Sequence, residues 1–154
     1  MPNPDSRERV AIHCEATSYD PAVAQPLAVA AIRIRGNRIL TGSALRLHPG
    51  SDCGLGEAGD LLRAFIGDRP LVGYFLDFSA AMAERLNGRP LANERVEVSA
   101  LYYARKIRTA SKQAVDLRLD SLIRDLDLPV RADDAFGTAL AAAMAWLRLT
   151  QDGR

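Results

Sequence analysis

Val10-Ala11-Ile12-His13-Cys14-Glu15-Ala16-Thr17 is a short apolar run broken by two polar residues spaced two apart. Side chains alternate along a strand, so His13 and Glu15 leave one face while Cys14 points the other way, toward a core. A buried strand is the expectation for Val10 to Glu15. Leu27 to Arg35 follows, alternating Ile32 and Ile34 against Arg33 and Arg35, and it ends on the turn dipeptide Gly36-Asn37. Arg38 to Leu47 returns as a third strand with Ile39, Leu45 and Leu47 inward, so the first third of the chain reads as an antiparallel meander.

Beyond Pro49-Gly50 the period changes. Leu61, Leu62, Phe65 and Ile66 recur at helical spacing within Glu57 to Ile66, and Gly67-Asp68-Arg69-Pro70 stops that helix before a short strand, Leu71 to Tyr74. Asp77 to Leu86 reads as a helix with Asp77 as its N-cap, Phe78, Ala81, Met82 and Leu86 on one side, and Asn87-Gly88 as its stop. Val98 to Ile107, Leu119 to Leu126 and Ala135 to Leu149 are three more helices, the last packed by Leu140, Met144, Trp146 and Leu147. Strands first and helices later describe an α/β domain with a mixed sheet and flanking helices.

With 154 residues, 48% of them apolar, the chain can bury one ordinary core. One domain over residues 10–150 is expected, after a flexible polar N-terminus at residues 1–9. Twenty Lys and Arg face 19 Asp and Glu, a net charge of +1 that gives no overall attraction to nucleic acid. No stretch approaches the roughly 20 apolar residues of a membrane span, and the first residues have no signal-peptide core, so a cytoplasmic protein without membrane partners is expected. Cys14 and Cys53 have no zinc-like spacing and read as reduced thiols.

Four stretches together resemble the DEDDh family of 3'-5' exonucleases, which includes the proofreading epsilon subunit of bacterial DNA polymerase III and ribonuclease T. They are Val10 to Thr17, Pro70-Leu71-Val72-Gly73-Tyr74-Phe75-Leu76-Asp77-Phe78-Ser79, Leu117 to Leu122, and Asp133-Asp134-Ala135-Phe136-Gly137-Thr138-Ala139-Leu140-Ala141. The resemblance runs from about Val10 to Leu149 and implies a ribonuclease-H-like fold. Overlaid on the family's patterns, its first Asp falls on His13, its Glu on Glu15, its corner His and Asp on Tyr74 and Ser79, its general-base His on Asp133 and its last Asp on Thr138. Glu15 is then the one retained acid. Small stand-alone bacterial exonucleases resemble the chain further in Val98 to Arg108 and Val115 to Arg118, and in them Tyr also replaces the corner His. The family's longer excursion after the third strand, which cradles the terminal nucleotide, is reduced here to Gly50 to Gly56.

The resemblance implies a scaffold kept and a chemistry lost. Two-metal hydrolysis holds Mg²⁺ or Mn²⁺ ions about 3.5 to 4 Å apart, and a lone Glu15 beside neutral Ser79 and Thr138 cannot neutralise that pair. No cofactor and no metal site are expected, and the leading reading is a pseudo-exonuclease that binds nucleic acid or protein. The alternative is an altered nuclease using Mg²⁺, Mn²⁺ or Zn²⁺ on His13 and Glu15 with Asp133, or Asp134, approaching them. Asp133 and Asp134 also suit the N-terminus of the last helix. Tyr102, Tyr103, Arg105, Lys106, Arg108 and Lys112 form the one concentrated basic and aromatic run, suited to single-stranded DNA or RNA or equally to a solvated helix face. Partners in this reading are single-stranded nucleic acid, another protein, or a second copy in a homodimer. His48, beside Pro49, reads as a surface residue with no partner in sequence.

Overall fold

The computed structural model describes residues 8–109 and 115–151. Its first strand, β1 (Arg9–Ala16), pairs antiparallel with β2 (Pro26–Arg35) in a register that sets Ala11 opposite Ile32, His13 opposite Ala30 and Glu15 opposite Ala28. After the turn at Gly36 the chain returns as two pieces rather than one strand. β3 (Arg38–Ile39) and β4 (Leu45–Leu47) both pair with β2, separated by a 3₁₀ turn at Thr41–Ser43. The expected third strand is thus interrupted where Thr41-Gly42-Ser43 offers no apolar side chain to the sheet.

α1 (Leu55–Ile66) leads into β5 (Leu71–Gly73), which lies parallel to β1, and α2 (Leu76–Asn87) crosses to β6 (Arg95–Glu97), parallel to β5. The sheet order is β3-β2-β1-β5-β6, with β4 alongside β2. β6 has one apolar residue, Val96, within its three positions, so periodicity could not announce it. α3 (Val98–Thr109), α4 (Leu119–Asp125) and α5 (Ala135–Gln151) complete the fold.

Both faces of β1 are covered, which is why its sequence is almost continuously apolar. Val10, Ile12 and Cys14 pack with Leu62 and Ile66 of α1 and Met82 and Leu86 of α2. Ala11 and Val72 meet α3, α4 and α5 through Val98, Tyr102, Leu122 and Trp146, while Ala30 and Ile32 meet Ala135 and Ala139. The alanine-rich side of α5 lets that helix lie close against small residues of the sheet at interior packing density. Of the four apolar residues at helical spacing in α1, Leu62 and Ile66 are buried and Leu61 is 44% exposed.

Two local readings change. The N-cap of α2 is Phe75, in the left-handed region at φ 53° and ψ 49°, with no side-chain cap bond. Asp77 lies in the first turn, its side chain 93% exposed and paired with Arg95 at 3.0 Å. His48 does have a partner: its Nδ1 lies 3.1 Å from Asp52 Oδ2, a pairing four residues apart that a tight loop creates. Cys14 and Cys53 are free thiols.

Candidate functional site

The end of β1 delivers His13 and Glu15 to the α5 face of the sheet, as alternation requires. His13 makes no hydrogen bond among the described residues, and its Nδ1 is buried without a partner. Burial lowers its pKa to about 4, because a protonated imidazole would lose its hydration. In the unfolded chain the group titrates near 6.5, so between those values the unfolded state binds the extra proton. Stability fully present above pH 6.5 is therefore lost as pH falls toward 4, by about 3 kcal/mol for this group. Urea unfolding of wild type and His13→Asn across that window should show their difference shrinking as pH falls; a constant difference would contradict a desolvated imidazole.

Ser79 does a structural job. β5 pairs with β1 at Val10 and Ala11, and its last residue is Gly73, so the Cys14 N–H finds no strand partner on that side. The Ser79 hydroxyl accepts it at 3.1 Å, and the Cys14 thiol donates to the Ser79 carbonyl at 3.5 Å. Ser79 is fully buried, and burial raises the Cys14 thiol to about 12. Thr138 is buried within α5.

The remaining acid positions scatter. Glu15 is exposed and lines a cleft of about 290 Å³ shared with Arg46, His48 and Asp134. Asp133 lies on another side, lining a cavity with Leu119, Ile123 and Val130. Of the two aspartates before α5, Asp134 caps the helix, its Oδ1 accepting the Gly137 N–H at 2.7 Å. His13, Glu15 and Asp133 line three different cavities. Among the described residues no three His, Cys, Asp or Glu side chains converge as a metal-holding group. A pair of divalent cations needs several oxygens at about 2 Å, and Glu15 shares its cleft with one other lining carboxylate, Asp134.

The cavity that His13 does line holds about 350 Å³ and is bounded by Tyr19, Phe75, Asp77, Phe78 and Glu97. Glu97, at the tip of β6, organises it, and sequence reasoning missed it along with that strand. Its carboxylate accepts Phe75 N–H at 3.1 Å, Leu76 N–H at 2.7 Å, Ser99 N–H at 3.1 Å and the Ser99 hydroxyl at 2.8 Å. One side chain thus satisfies the opening donors of α2 and fixes the start of α3. Tyr74 turns away from this cavity's chemistry: its hydroxyl donates to the Leu117 carbonyl at 2.5 Å, tying the corner to the approach to α4.

The basic run is largely engaged with its own fold. Tyr102 is 4% exposed, and its hydroxyl donates to Asp125 at 2.6 Å, so this ring is core rather than a stacking surface. Burial and that bond push its phenol up to about 12. Lys106 meets the same carboxylate at 3.1 Å, and Arg105 donates to the Leu149 carbonyl at 3.0 Å. Arg108 donates to the Ala104 carbonyl, and Tyr103 is 46% exposed. Lys112 lies outside the described residues.

Comparison with solved structures places this topology. An E. coli exonuclease I complex with a 5cy-dA13 oligonucleotide superposes with a TM-score of 0.75 at 12% identity, over 94% of this chain and 40% of that one. The fold is that of the ribonuclease-H-like exonucleases. The zinc-bound form of an E. coli exonuclease I–ssDNA complex gives a TM-score of 0.73 at 14% identity, over 94% of this chain and 41% of that one. A yeast NOT1 MIF4G domain co-crystal with CAF1 gives 0.71 at 11% identity, over 94% of this chain and 79% of the matched chain. The chain thus spans about two fifths of the exonuclease I chains it matches. No family model and no curated protein sequence matches it. Among the described residues no helix is long and apolar enough to cross a membrane.

Proposed function

We propose that this chain is a binding module on an exonuclease-type scaffold, without metal-dependent hydrolysis, and that its partner is single-stranded nucleic acid. The observation that carries the loss of hydrolysis is the dispersal of donors: a neutral His13, a Ser79 bonded to the β1 backbone, a buried Thr138, and Glu15 and Asp133 lining separate cavities. Two-metal phosphodiester cleavage needs carboxylates that converge on both ions. The nucleic-acid partner is supported by the fold likeness to proteins crystallised with oligonucleotides and by the exposed ring of Tyr103 on α3. Another protein or a second copy of the chain is the competing partner.

The test is a nuclease assay on single-stranded DNA and RNA with Mg²⁺ and with Mn²⁺, run on wild type and Glu15→Ala. Both proteins should leave the strands intact to the same degree. Metal-dependent digestion that disappears in Glu15→Ala would overturn the reading, because it would show the retained carboxylate still assembling a catalytic centre.

A further inference from the structure

The His13 cavity has properties that the loss of acids does not account for. Its walls are aromatic, with Phe78 packed against Tyr19 at 5.9 Å between ring centroids and Phe75 beside Tyr74 at 4.4 Å. Tyr19 is 88% exposed and Phe75 57%, so both rings stand in water at the rim. Phe75 reaches that position from a left-handed backbone, a conformation costing a bulky L-residue about 1 to 2 kcal/mol. Strain of this kind concentrates where a side chain must be presented to a ligand.

Charge narrows the ligand. Among the described residues no Lys or Arg lines the cavity, whereas Asp77 and Glu97 do. Glu97 already accepts four hydrogen bonds, and Asp77 is paired with Arg95, whose other donor goes to the Leu91 carbonyl. A phosphate entering here would meet carboxylates and no lining cation, at a desolvation cost nothing in the wall offsets. Among the described residues the one buried polar side-chain atom of the lining without a hydrogen bond is His13 Nδ1. A volume of about 350 Å³ falls at the small end of ligand pockets and suits a nucleoside-sized molecule.

We propose that this cavity binds an uncharged planar heteroaromatic ring, stacked among Tyr19, Phe75 and Phe78 with His13 as its polar partner, and that it discriminates against phosphate. The site prefers a nucleoside to the corresponding nucleotide, the reverse of what a metal-loaded phosphodiester site does. The inference stands apart from whether the chain binds strands, since it concerns the ring alone.

Calorimetric titration with adenosine and with adenosine monophosphate tests it. Adenosine should bind saturably and at least ten-fold more tightly than the monophosphate, and Tyr19→Ala and Phe75→Gly should each weaken it by about ten-fold, the scale of one lost aromatic stack. Tyr19 is almost wholly exposed and Phe75→Gly removes a strained φ, so circular dichroism should show both variants folded. Competition by a short oligodeoxyadenylate would assign the ring to a strand end, and its absence would assign it to a free nucleoside. No saturable adenosine binding by the folded wild type, equal or tighter binding of the monophosphate, or variants that bind as well as wild type would each overturn the proposal.

Discussion

Gly137→Ala is expected to lower unfolding stability by about 2 to 3 kcal/mol, a midpoint shift of roughly 8 °C for a domain of this size. A methyl group built on Gly137 would sit well inside van der Waals contact with the Arg131 carbonyl oxygen and 3.2 Å from Asp134 Oδ1. Neither neighbour can move freely. The first is backbone, and the second holds the opening of α5 by accepting the Gly137 N–H. Alanine is intrinsically the better helix former by up to about 1 kcal/mol, so the net loss is the clash less that gain. Gly56→Ala is the matched control, because nothing lies within 4 Å of its added carbon; it should be neutral or slightly stabilising. Equal midpoints for the two variants in thermal unfolding would show that the approach of Arg131 to α5 is not a tight one.

The clash at Gly137 also shows which features the sequence could reveal. Periodicity is a local signal, and it located β1, β2, α1, α2 and α5 because each carries an apolar face long enough to repeat. β6 escaped because three residues with one apolar side chain hold no period, although its tip carries Glu97. The break between β3 and β4 escaped for a related reason: Ile39, Leu45 and Leu47 keep strand-like parity across the 3₁₀ turn. At the site, alternation alone put His13 and Glu15 on one face, and that is where they are. It could not foresee that Glu15 lines one cavity and His13 another, since which neighbours converge is set by elements distant in sequence. Tyr102 illustrates the opposite error. Next to Lys and Arg it reads as a surface aromatic, yet its helical phase against Val98 turns it into the core, where Asp125 satisfies its hydroxyl.

Glu97→Ala is expected to cost about 3 kcal/mol and to loosen the whole corner between β5 and α2. Hydrogen bonds to a charged group contribute about 1.5 to 3 kcal/mol each, and four end on this carboxylate, but it is half-buried and water can replace part of what is lost. Phe75 has no side-chain cap of its own to offer α2, so Glu97 supplies what an N-cap residue ordinarily would. Glu97→Gln keeps one acceptor oxygen and turns an amide toward donors, and it should fall about midway. The strained φ of Phe75 allows a sharper check. If the carboxylate is what holds that residue in the left-handed region, Phe75→Gly should stabilise wild type more than it stabilises Glu97→Ala, where the corner is already free to relax. A double-mutant cycle in urea should then give a coupling of at least about 0.5 kcal/mol, the lower range for residues in contact. Additive effects, or a loss below 1 kcal/mol for Glu97→Ala, would mean that the β5–α2 corner keeps its shape without the carboxylate and that the aromatic rim is set by the turn itself.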